Sequence, residues 1–243
     1  MNNLYTYEIV YCIIYCGRTI LYSDLLLKIF FVNHDILKVM KKSISKRLRI
    51  PKTDQEEYLR EMGFEVICGV DEVGRGAWAG PLVAGAVILN QKLYGLRDSK
   101  LLKPQEREKL SRKIKRTCIW GIGEVSVAEL DKLKMTRGTQ LAFKRAINSL
   151  NKKVDYILSD GFPVESPISC RALIKGDMTC SSIAAASIIA KVYRDRLMQE
   201  LDKKIPGYNF GIHKGYGTKL HQKHLKKLGP SCQHRKFFKS IQA

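Results

Sequence analysis

The segment Gly69-Val70-Asp71-Glu72-Val73-Gly74-Arg75-Gly76 sets two adjacent acids and a flexible glycine turn at the end of an apolar run. A carboxylate beside a core costs free energy unless a metal or hydrogen bonds compensate it. Two further acids follow apolar runs in the same way, Asp160 after Tyr156-Ile157-Leu158-Ser159 and Asp177 after Ala172-Leu173-Ile174-Lys175-Gly176. Taken alone, Asp160-Gly161 reads as an ordinary turn and Asp177 as a helix cap. Four acids at the ends of expected strands point together to one divalent-metal site. Consecutive side chains of a strand face opposite ways, so Asp71 and Glu72 share a site only if the strand ends there and the backbone turns; Gly74 and Gly76 supply that turn. Oxygen ligands without an accompanying His or Cys suit Mg²⁺ or Mn²⁺ rather than zinc. Two-metal phosphodiester hydrolysis, with ions roughly 3.5–4 Å apart, needs several carboxylates brought from separate strands.

Outward from this segment, short apolar runs alternate with amphipathic helices from residue 65 onward, the pattern of an α/β domain. Strands are expected over 65–71, 82–89, 117–125, 154–159 and 171–175. Pro104 and the charge spacing of 105–116 predict a helix. Ser126 caps a short helix to Leu133, and 138–150 reads as another. Residues 181–204 predict a long helix whose alanine-rich first half implies close packing. Gly207, Gly211, Gly215 and Gly217 make a loop, after which Thr218 caps a basic helix to Leu228.

Charge narrows the partner. The 243 residues carry 43 Lys and Arg against 23 Asp and Glu, a formal charge of +20. No acid follows Asp202, whereas ten lysines and arginines do, from Lys203 to Lys239. A one-signed stretch favours a polyanion such as nucleic acid over a membrane surface. A hydrophobic content of 45% suffices for a core and excludes a disordered basic tail. The seven cysteines are odd in number, scattered and without a CxxC pair, which argues against a disulfide framework or a zinc site and fits a reducing cytoplasm.

Residues 1–60 differ in character and read as an N-terminal extension ahead of a domain spanning 61–243. Gly17, Arg18, Ser23 and Asp24 interrupt the apolar runs 4–16 and 25–32 before either is long enough to cross a bilayer. A basic region is missing ahead of them, against a signal peptide. Met40-Lys41-Lys42 offers an alternative start, so residues 1–39 are expected to be a wrongly extended frame or a poorly packed appendage.

The ordered series of motifs resembles bacterial ribonuclease HII, a type 2 ribonuclease H. It comprises Gly69 to Gly76 with Ala79-Gly80-Pro81, Asp98-Ser99-Lys100, Ser159-Asp160-Gly161, Lys175-Gly176-Asp177 with the run Ile183 to Val192, His213 to Thr218, and Gly229-Pro230-Ser231 with His234-Arg235. The resemblance covers about residue 60 to the end. It implies a ribonuclease H-like α/β fold, with a mixed central sheet flanked by helices and a C-terminal helical extension. It also implies a monomeric endonuclease that cuts RNA in RNA/DNA hybrids and incises 5′ of ribonucleotides embedded in duplex DNA, leaving 5′-phosphomonoesters. By position, Asp71, Glu72, Asp160 and Asp177 correspond to the family's metal-binding carboxylates. Gly74, Arg75 and Gly76 would contact the ribonucleotide 2′-hydroxyl, by which RNA is told from DNA. Tyr216 would stack on the sugar beside the junction, and Lys100 is similar to a lysine that holds a phosphate near the cut.

Other residues carry blander expectations. His213, His221 and His224 lack an acid or Cys to complete a metal site and are expected to be solvated and phosphate-facing. Asp195 is expected to pair with basic neighbours on its own helix. Trp78, beside the glycine turn, is open to a packing or a nucleic-acid role.

Overall fold

In the computed structural model, which describes residues 52–96, 99–100 and 102–242, five strands form one mixed sheet in the order β3-β2-β1-β4-β5. The strands are β1 Ile67–Val73, β2 Leu82–Ile88, β3 Ile119–Val125, β4 Tyr156–Asp160 and β5 Ser169–Leu173. β2 runs antiparallel to both β1 and β3, while β1, β4 and β5 are parallel. The expectations for residues 1–39 and for Asp98 lie outside the described residues.

Alternation along the strands divides the core. Cys68 and Val70 of β1, with Leu82, Ala84 and Ala86 of β2, pack against Phe143, Ala142 and Ala146 of α3, Val127–Asn148. Val87 faces the opposite layer, formed by α5, Ser181–Lys204, with α2, Pro104–Thr117, outside it. The alanine-rich half of α5 lies almost on the strands: a Cβ on Gly69 would stand 2.2 Å from the Ser182 carbonyl carbon, and one on Gly85 2.4 Å from the Ala186 oxygen. Such contacts admit no side chain.

Local signals place the helix ends. Ser126 accepts from the Glu129 N–H at 3.3 Å and its own N–H donates to the Glu129 carboxylate at 2.9 Å, a reciprocal cap. The two expected helices after Ser126 are joined as α3, broken at Lys134 by φ 60° and ψ −179°. Thr218 caps α7, Lys219–Leu228, through the His221 N–H at 3.3 Å. Three short helices went unforeseen: α4, Gly176–Thr179; α6, Phe210–His213; and α8, Lys239–Gln242. A fourth, α1, Asp54–Glu61, falls in the segment expected to be an extension. It buries Leu59 against Ile67, Leu158 and Ile183, and its Glu56 carboxylate accepts the Ser182 N–H at 2.8 Å, at the start of α5.

Candidate active site

The sheet assembles the acids at one end. Asp160 is the last residue of β4, and beyond β5 the chain passes through left-handed Lys175 (φ 56°, ψ 43°) into α4, which carries Asp177. The Asp160 Oδ1 accepts the Gly176 N–H at 2.7 Å, tying the two segments together. One carboxylate oxygen from each of Asp71, Asp160 and Asp177 lies within 4.8 Å of the others.

The expected strand end is corrected. β1 continues to Val73, held there by pairing of Asp71 with Gly85, Glu72 with Ala84 and Val73 with Val83. Glu72 stands outside the group of three. It remains electrostatically joined to it. Burial above all, then the charges of Glu72 and Asp160, pushes Asp71 well above the usual carboxylate range. Burial likewise outweighs the lowering by Arg75 and, with the charge of Asp160, raises Glu72 to about 7. The Glu72 Oε2 is buried without a hydrogen-bond partner among the described residues.

The other expected site residues gather at the same edge. Lys100 places Nζ 3.4 Å from the Asp177 Oδ2. Gly74 has φ +97°, a conformation favouring glycine, and Gly76 is exposed with nothing within 4 Å of where a Cβ would sit. Arg75 lies 3.8 Å from the Glu72 carboxylate, with its guanidinium 4.1 Å above the Phe162 ring. Half-buried Tyr216 is bridged through its backbone to Ala77, just beyond that turn.

A family model described as Ribonuclease HII matches residues 68–241. The chain belongs to the ribonuclease HII family. It is 46% identical over 177 residues to a ribonuclease HII of Thermus thermophilus, covering 72% of this chain and 87% of that one. It is also 46% identical over 199 residues to that of Chlamydia caviae, covering 80% and 94%. Among solved structures, the ribonuclease H2 of Pyrococcus horikoshii OT3 superposes with a TM-score of 0.60 at 28% identity, covering 73% of this chain and 96% of that one. The mixed sheet with helices on both faces is accordingly the ribonuclease H-like α/β fold, and the chain is a type 2 ribonuclease H.

In this member of the ribonuclease HII family the histidine expectation fails. His213 and His221 are buried and stacked with centroids 4.2 Å apart, and buried His234 places Nε2 3.0 Å from the His221 Nε2. His224, one turn along α7 from His221, is half-buried and its Nδ1 meets the Gly207 carbonyl. The network assigns the protons. His234 Nδ1 accepts the Ser231 N–H at 2.9 Å, so its Nε2 donates to His221, whose Nδ1 donates to the Tyr216 carbonyl at 3.0 Å. Burial lowers both His221 and His234 to about 4. Asp195 does pair on its helix, with Lys191 at 2.7 Å. Trp78 packs its ring where a side chain on Gly217 would fall.

Three site-shaping residues escape sequence reasoning. Ser187 of α5 lies 2.9 Å from the Ser99 Oγ, and its hydroxyl works against the raising of Asp71. Arg194 and Arg235 are fully buried beneath the Gly74 turn. All three stand in or beside motifs already noticed, but no spacing signals burial of an arginine.

Proposed function

We propose that this chain hydrolyses the RNA strand of RNA/DNA hybrids and incises duplex DNA 5′ of embedded ribonucleotides, using two divalent ions held by Asp71, Glu72, Asp160 and Asp177. The observation that carries this reading is the convergence of the Asp71, Asp160 and Asp177 oxygens within 4.8 Å. Like charges that close oppose ionisation unless cations intervene. The donors are carboxylate oxygens, and the buried Glu72 Oε2 has no hydrogen-bond partner among the described residues, so the set fits Mg²⁺ or Mn²⁺. When bound, such ions activate the attacking water and stabilise the leaving oxygen.

The chain's own residues do the rest. The water oxygen bonds to phosphorus as the P–O3′ bond breaks, giving a 3′-hydroxyl and a 5′-phosphate. Lys100, beside Asp177, supplies a cation for a phosphate near the cut. The open surface at Gly76 lets a sugar-phosphate backbone approach the Gly74-Arg75-Gly76 turn, which contacts the 2′-hydroxyl. Tyr216 packs on the neighbouring sugar, and exposed Lys223, Lys226 and Lys227 of α7 take phosphates farther along the duplex. The scattered cysteines, odd in number and without a CxxC pair, fit a reducing cytoplasm, and the two substrates correspond to primer removal and ribonucleotide excision.

The test is cleavage of three labelled duplexes: DNA with one embedded ribonucleotide, a uniform RNA/DNA hybrid, and plain DNA. Incision of the first two with Mg²⁺ or Mn²⁺, on the 5′ side of the lone ribonucleotide, is expected. Binding without incision, or cutting of plain DNA, would overturn the reading.

A further inference from the structure

Three segments distant in sequence meet around two arginines that the proposed chemistry does not use. The Trp78 N–H donates to the Gly215 carbonyl at 2.8 Å, and the Arg235 N–H to the Trp78 carbonyl at 2.8 Å. Ala79 and His234 form a further backbone bridge. Residues 74–81, 214–217 and 233–235 thus make one platform, with Arg194 of α5 and Arg235 of the tail beneath it, both 0% exposed.

Neither guanidinium has an ion-pair partner among the described residues; both are satisfied by carbonyls instead. Arg235 donates to Gly74 at 2.6 Å and Arg75 at 3.2 Å through Nη1, to Gly80 at 2.9 Å through Nε, and to Pro81 at 3.1 Å through Nη2. Arg194 donates to Pro81 at 2.9 Å, to Ala79 at 3.2 Å and to Lys214 at 2.9 Å, while its guanidinium carbon lies 5.5 Å from the Tyr216 ring centroid. Its Nε also lies 2.3 Å from where a Cβ on Gly74 would stand. Burying two uncompensated cations side by side is costly. A planar fork with five donors returns that cost only where several carbonyls must be held at fixed relative positions.

We infer that Arg194 and Arg235 are positioning residues for substrate choice: they set the spacing between the Gly74-Arg75 turn and Tyr216, and so the geometry by which a ribonucleotide followed by a deoxyribonucleotide is distinguished. The inference rests on the proposed roles of that turn and of Tyr216. Neither arginine touches the acid cluster, so chemistry on a uniform hybrid depends on them less than junction selection does.

The experiment compares Arg194→Lys and Arg235→Lys with wild type on the single-ribonucleotide duplex and the uniform hybrid, with circular dichroism reporting the fold. Lysine keeps the charge but loses the fork. The preference for the single-ribonucleotide duplex, as a ratio of kcat/KM values, should fall by about tenfold or more, the size expected on losing one charge-assisted hydrogen bond. Hybrid cleavage should stay within a few-fold. Arg196→Ala, at an exposed position of α5, is the control and should leave the ratio unchanged. Equal losses on both substrates, an unchanged ratio, or unfolding of both lysine variants would overturn the inference, since the arginines would then be general scaffolding. Failure of the wild type to incise the single-ribonucleotide duplex would instead remove the proposed function on which the inference stands.

Discussion

Asp160 accepts the backbone N–H of Gly176 through its Oδ1 at 2.7 Å, one residue before Asp177. The end of β4 and the start of α4 are thereby locked to each other, and the two acids arrive as a unit. Asp160→Asn keeps an acceptor oxygen for this bond and removes only charge. Hydrolysis should fall by at least about a hundredfold, since even loss of a group behind a metal ligand costs about 10- to 100-fold. Hybrid binding, followed by fluorescence anisotropy with Ca²⁺ in place of Mg²⁺, should survive. Near-normal turnover of this variant would remove Asp160 from the site.

Protonation and metal compete for the same oxygens. Burial holds Glu72 at about 7 against its usual 4.5, and Asp71 is raised as well. Between those two pH values the folded chain keeps protons that the unfolded chain releases. In the metal-free protein this contribution to stability is therefore full below about 4.5 and lost as the pH rises through about 7. Mg²⁺ offsets the loss, so the rise in Tm on adding Mg²⁺ should be larger at about pH 8 than at about pH 5. A rise independent of pH, by differential scanning calorimetry, would count against the acid cluster as the binding site.

Salt dependence tests α7. Its Lys223, Lys226 and Lys227 are exposed while His221 faces inward. Changing the three lysines to glutamine should flatten the slope of log affinity against log salt, by up to about 0.9 per lost B-DNA contact. Choice of cleavage site should change less, because phosphate contacts carry little sequence or sugar information. An unaltered slope would mean that this helix faces solvent.

Tyr216 separates packing from polarity. Tyr216→Phe should retain most activity, because the ring makes the contact. Tyr216→Ala should lose stacking of roughly 1–3 kcal/mol, about five- to 150-fold at a single ribonucleotide, and less on an all-RNA strand. Equal losses on both substrates, measured as kcat/KM, would assign the residue to general structure.

Much of this architecture was legible in the chain itself. The helix over 181–204, the Ser126 and Thr218 caps and the five strands follow from periodicity and from residues acting on near neighbours, and the observed strands differ from expectation by about two residues. That two-residue difference matters at β1. Where the strand stops depends on pairing with β2, and in the folded sheet Glu72 stands outside the close group that Asp71 forms with Asp160 and Asp177. The residue types at the strand ends and the preference for a polyanion can be read from the chain, because composition and local patterning carry both. Folding alone buries three histidines and sets two arginines under the Gly74 turn. Their hydrogen-bond partners come from residues up to 161 positions away, and burial created by such contacts leaves no periodic trace in the chain.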